Sequence, residues 1–182
     1  MKLILSALIF IIINTNLLFA QIDYFGQELP GDSAIVFSPD FISAGSRFIQ
    51  GSSFTPDGKE FSFTTTNSGW SLINVMNTQY VDGQWTEPAV PDFLKTNLYR
   101  EWGLRFSPDS KRYFVVGEEK AGGGSSIYYG ERSNDGWGKP IKISALGQVS
   151  EPSVSSLNTV FLEKVESVFL NLLMMNTRKS LK

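Results

Sequence analysis

The chain contains no cysteine and no histidine. The first absence excludes disulfides, thiolate nucleophiles and a lipid-bearing cysteine behind an N-terminal leader. The second excludes imidazole metal ligands, any Ser-His-Asp triad, and the side chain that titrates unperturbed near neutral pH. Catalysis would have to rest on carboxylates, Tyr, Lys, Arg or a bound cofactor. An excess of positive charge is missing too: 16 Lys and Arg face 18 Asp and Glu, a net of −2. Nucleic acid and anionic membranes are therefore poor partners. Charged residues make up 19% and apolar ones 42% of the 182 residues. That is the composition of a globular chain with a core.

One long apolar run exists, at the N-terminus. Lys2 precedes Leu3–Ile13, and Leu17-Leu18-Phe19-Ala20 precedes Gln21. The run is short for a membrane span and is broken by Asn14, Thr15 and Asn16. Residues 1–20 read as a signal peptide cleaved after Ala20. This gives a periplasmic or extracellular protein with no span after cleavage. An exported chain without cysteine fits a bacterial source.

Aromatic residues reach 13%, and there are 16 glycines. That mixture suits short strands joined by tight turns. The order within the mixture is periodic. Phe54-Thr55-Pro56-Asp57-Gly58-Lys59-Glu60-Phe61 returns as Phe106-Ser107-Pro108-Asp109-Ser110-Lys111-Arg112-Tyr113. Farther along, Trp85 and Pro88 return as Trp137 and Pro140. Both motifs keep one offset of 52 positions. Pro sets φ, Asp bonds back to the backbone and Gly accepts positive φ, so the motif is a turn. Phe61 and Phe63 alternate with Ser62 and Thr64, as in a strand. Trp70–Met76 and Ser126–Arg132 read as the next strands, followed by glycine turns leading to Trp85 and Trp137. Four strands in such a period make a propeller blade.

The Phe-Ser-Pro-Asp pattern with its following Gly-x-Trp turn and Pro resembles the WD-like propeller repeats of the TolB type. The resemblance covers residues 22–162. It implies an all-β, partial β-propeller of two full four-stranded blades plus the start of a third. The units run over about 45–96, 97–148 and an incomplete 149–162. Phe37-Ser38-Pro39-Asp40 is read as a lead-in, not a further repeat. Ser110 stands where the family has Gly, which is expected to change the hairpin turn.

The pattern fails in mid-unit. Val160-Phe161-Leu162 reads as a return strand, but Leu157-Asn158-Thr159 replaces the turn before it. Val165, Val168, Phe169, Leu172 and Leu173 then fall at helical spacing, so a short C-terminal helix is expected in the atypical tail 163–182. A truncated or frameshifted gene product is the favoured explanation. Oligomerisation to cover the open sheet edge, and a capping helix, are the alternatives.

Few residues carry chemistry. The glycine run 121–126 lacks the Gly-Lys-Ser/Thr ending of a phosphate loop and lies between strands. Asp57 and Asp109 sit at equivalent turns, so repetition explains them better than a glycosidase pair does. No catalytic residue, cofactor site or metal site is assigned. The expected binding rim is Arg100, Glu101, Trp102, Arg105 and Glu151, polar and aromatic residues at the approach to the innermost strands. The expectation is a binding or scaffold module for a protein, small-molecule or glycan partner in the cell envelope. The alternatives are a propeller fragment of a glycan-acting or peptidase enzyme, and a non-functional remnant.

Overall fold

The computed structural model describes residues 25–28, 31–45, 47–143, 152–154, 160–163 and 169–172. The proposed leader, the Leu157–Thr159 break and most of the tail lie outside them. The chain divides into two compact units, Met1–Ile35 and Val36–Lys182. In the first, Phe25 and Gly26 form a turn with positive φ.

The body of the second unit is all β. One sheet runs β1 (Phe48–Phe54), β2 (Glu60–Thr66), β3 (Ile73–Val81) and β4 (Gln84–Trp85), antiparallel in chain order. The next runs β5 (Arg100–Phe106), β6 (Arg112–Glu118), β7 (Ser125–Ser133) and β8 (Gly136–Trp137), with β9 (Ile141–Lys142) paired to β7. Every strand of the first sheet maps onto one of the second by the offset read in the sequence. So do the register shifts at Gln50/Ser53 and Trp102/Arg105. These are two blades of a partial β-propeller. A third sheet holds β10 (Ser153–Val154), β11 (Val160–Glu163) and β12 (Phe169–Leu172).

That last strand corrects the sequence reading. Phe169–Leu172 was expected to be helical, yet it pairs antiparallel with Val160–Glu163. A short apolar run satisfies helix and strand periodicity alike, and an available strand edge decides between them. Another correction concerns the start of β3. Trp70 belongs to the preceding loop, Asn67–Leu72, and the strand begins at Ile73. The 3₁₀ turn Asp92–Leu94, which buries Phe93 and Leu94, had no signal beyond Pro91.

The repeated turn explains itself atom by atom. The Thr55 hydroxyl donates to Asp57 Oδ1 at 2.6 Å and accepts from the Glu60 amide at 3.0 Å. Asp57 Oδ1 also accepts from the Lys59 amide at 3.1 Å. Ser107, Asp109, Lys111 and Arg112 repeat all three bonds at 2.6, 2.9 and 3.0 Å. The expectation that Ser110 alters this hairpin is overturned: Ser110 takes φ 56° where Gly58 takes 68°. The surrounding bonds force the same left-handed conformation on a residue with a Cβ.

In β2 the alternating residues Phe61, Ser62, Phe63 and Thr64 are all buried. Each face is covered. The lead-in segment lays Phe37 against Phe54 and Phe61, with ring centroids 6.3 and 5.6 Å apart, and buries Ile42. The opposite face meets the second sheet through a cluster of Val75, Phe93, Leu94, Leu104, Phe106, Tyr113, Val115 and Tyr128. The far face of that sheet holds Phe114, Val116 and Ile127, with Val154 of the third sheet packed on them.

Polar contacts fix the two blades to each other. The Thr64 hydroxyl accepts from the Gly103 amide at 2.9 Å, and the Ser53 hydroxyl from the Phe106 amide at 3.1 Å. A Cβ on Gly51 would lie 3.1 Å from the Gly103 Cα, so this seam is packed backbone against backbone. At the outer side Glu60, almost fully buried, accepts from Arg132 at 2.7 Å and from the Trp137 indole at 2.9 Å.

Two outcomes test this account. A left-handed L-residue costs roughly 1–2 kcal/mol and glycine returns part of that as chain entropy, so Ser110→Gly should stabilise by about 0.5–1 kcal/mol in urea unfolding. Removing one partner of a buried ion pair costs roughly 3–5 kcal/mol, and Arg132 is partly hydrated, so Glu60→Ala should lose about 3 kcal/mol. A double-mutant cycle with Arg132→Ala should return a coupling of at least about 1 kcal/mol. A cycle that closes additively would remove the ion pair from the account.

Candidate functional site

The blades have two unlike ends. One end carries the tight turns Thr55–Lys59 and Ser107–Lys111. At the other lie the starts of β1 and β5 and the longer loops Asn67–Leu72 and Glu119–Gly124. The exposed aromatics Phe48, Trp70 and Tyr99 all stand at this second end.

On β5 the register sets Arg100 opposite Glu118. The Arg100 Nε donates to Glu118 Oε2 at 2.5 Å. The Glu118 carboxylate is buried, and its other oxygen accepts from the Gly123 amide at 3.2 Å. One buried acid therefore holds both the arginine and the glycine loop. The Arg100 guanidinium lies 5.7 Å from the ring centroids of both Tyr99 and Trp102. Trp102 packs onto the Phe114, Val116 and Ile127 cluster, while Tyr99 is 56% exposed. The result is a fixed cation between two rings, one anchored in the core and one open to solvent.

The remaining rim candidates are dispersed. Strand alternation puts Glu101 on the opposite face, which it shares with Gly117 opposite it and with Tyr113 and Tyr128. Burial raises its pKa, against a hydrogen bond from the Thr96 hydroxyl at 2.7 Å. Burial, together with the Glu119 and Glu101 carboxylates, pushes the Tyr128 phenol up to about 12. Arg105 follows the bulge, donates to the Leu104 carbonyl at 3.1 Å and lies beside Gly51 at the seam of β1 and β5. Glu151 lies outside the described residues. Tyr99 and Glu118 were missed by sequence reading. Tyr99 adjoins the predicted rim, but Glu118 joins it only through the hairpin register.

Other chemistry is accounted for by structure. Burial opposes ionisation of Asp57 and Asp109. Hydrogen bonds from Thr55 and the Lys59 amide, and from Ser107 and the Lys111 amide, with neighbouring cations, hold both below the usual range. Each acid thus serves its own turn. A hollow of about 260 Å³ lies over the glycine run, but Glu118 takes the Gly123 amide and Lys142 bonds Glu119 at 2.7 Å. The Glu118 and Glu119 carboxylates that take these two donors do not suit a phosphate there. A larger cleft of about 470 Å³ between the blades is lined by Glu60, Phe93, Arg132 and Trp137. Arg132 lies 4.8 Å from the Trp137 ring centroid and Phe106 stacks at 5.3 Å, so this ring packs the seam. Among the described residues no three acidic side chains converge to hold a metal ion.

The raised pKa of Glu101 has a sign. The folded state holds its proton more tightly than the unfolded chain, whose value is 4.5. Its contribution is complete below 4.5 and is lost as pH rises through the raised folded value. Glu101→Gln keeps the Thr96 bond and removes the titration. The variant should gain on the parent between pH 4 and pH 7 in urea midpoints. A parent that gains on the variant over that interval would overturn the assignment.

No protein-family model matches the chain, and no curated protein matches it. A crystal structure of TolB from Acinetobacter baumannii is similar over 65% of this chain at 18% identity, with a TM-score of 0.45. The chain spans 28% of the length of that structure.

Proposed function

We infer that this chain is an exported β-propeller module of the TolB type that binds a protein partner in the cell envelope. Its docking point is the ring-cation-ring cluster of Tyr99, Arg100 and Trp102. The leader at residues 1–20 supports export. The Phe-Ser-Pro-Asp units support the propeller type. One observation carries the docking point: this cluster is not part of the repeat. The two blades share their turn bonds, bulges and strand pairing position by position. At the positions equivalent to Tyr99, Arg100, Glu101 and Trp102 the first blade has Arg47, Phe48, Ile49 and Gln50. The fold does not demand the cluster, and an exposed Tyr beside a pre-oriented Arg and Trp is the composition of an interface anchor.

Photocrosslinking tests it. A photoreactive amino acid at Tyr99 should trap an envelope protein, and the same group at Lys59, in the tight-turn end, should not. Tyr99→Ala should weaken that complex about tenfold, the effect of losing an aromatic anchor. Equal trapping from both ends, or none from Tyr99, would defeat the reading.

A further inference from the structure

The loop Asn67–Leu72 is unlike the other connections. Trp70 sits at φ 56°, a conformation that a bulky side chain rarely adopts, and its ring is 55% exposed. Leu72 is 64% exposed. Phe48, 55% exposed, stands at the same end, since its strand partner Thr66 also pairs with Ile73. A strained backbone that carries apolar side chains into solvent needs a reason.

The loop also pairs part of its own backbone. Asn67 Oδ1 accepts from the Ser71 amide at 2.9 Å and the Leu72 amide at 3.2 Å. The Asn67 carbonyl accepts from the Trp70 amide at 3.0 Å, and the Asn67 amide donates to the Leu72 carbonyl at 3.3 Å. The Asn67 Nδ2 donates to the Ser71 hydroxyl at 2.8 Å. Each of these bonds lowers the cost of carrying the loop into an apolar medium, where an unpaired N–H is costly.

Charge is absent as well. No ionisable group other than Tyr80 occurs from Phe61 to Val81, and the only charged residue from Phe41 to Pro56 is Arg47, which is exposed beside Phe48. This end of the first blade therefore carries one cation and no carboxylate.

We propose that Trp70, Leu72 and Phe48 form an insertion tip that enters the headgroup and acyl boundary of a lipid bilayer, with Arg47 at the phosphates. Trp is matched to that boundary, Leu to the acyl region, and the tip carries no charge to desolvate. The chain's net charge of −2 gives no attraction to an anionic surface, so apolar insertion supplies the binding. This is peripheral contact; no described helix is long and apolar enough to span a membrane. The tip belongs to the first blade and the Tyr99–Trp102 cluster to the second, at the same end.

The test uses the full chain with phosphatidylcholine vesicles whose acyl chains are brominated, which quench tryptophan on contact. Residues 1–20 contain no tryptophan, so any quenching is of Trp70, Trp85, Trp102 or Trp137, and the comparison with the Trp70 variant, which carries the same leader, separates the tip from the leader. The parent should be quenched, and Trp85→Phe, at the tight-turn end, should leave the quenching in place. The double variant Trp70→Ala, Leu72→Ser should need about tenfold more lipid for any remaining response. Both altered side chains are exposed, so the core is untouched. Absence of quenching in the parent, or undiminished quenching in the double variant, overturns the proposal. So does a parent that ignores vesicles while a soluble protein shields Trp70, which would make the tip a protein-docking site. Loss of crosslinking at Tyr99 has no bearing on this outcome.

Discussion

A sheet whose side chains are buried on both faces cannot stand alone in water, and this constraint organises the molecule. β2 and β6 bury nearly every side chain they carry, so each sheet needs a cover above and below. The first sheet takes its neighbours from the lead-in segment, through Phe37 and Ile42, and from the second sheet. The second takes Val154 of the third. Each blade is thus a layer whose stability depends on the next, as in other repeat architectures.

The covers are not interchangeable. Toward the second blade the first presents Ser62, Thr64 and Asn77, where the second carries Phe114, Val116 and Tyr129 at the equivalent positions. Small hydroxyls let the inner strands approach until Thr64 and Ser53 accept amide protons from β5. Larger side chains would separate the strands and break those bonds. The buried Glu60, held by Arg132 and Trp137, then fixes the outer side of the same seam. Hydrophobic burial brings the blades together, and these directional bonds set the angle and register between them.

With one end closed by tight turns, variation is left to the other. There the blades differ in charge and aromatic content, although their strands and loop lengths coincide. The Tyr99–Arg100–Trp102 cluster belongs to the second blade and the Trp70 loop to the first. In each an acceptor side chain ties the loop: Glu118 accepts from the Gly123 amide, and Asn67 from the Ser71 and Leu72 amides. Rigid loops on a repeated scaffold are a common way for a fold to carry recognition.

The sequence by itself determined the local units. The all-β class, the period and the turn built on Pro and Asp were legible because each rests on contacts within a few residues or on repetition. The tertiary structure decided what depends on register and neighbours. It placed Glu101 on the face away from Arg100 and Trp102, because alternation sends adjacent strand residues apart. It joined Arg100 to Glu118, 18 positions away, through a hairpin register that composition does not reveal. It held Ser110 in a glycine conformation because the bonds around it were already fixed. It made Phe169–Leu172 a strand, since for so short a run the partner, and not the intrinsic pattern, selects the conformation.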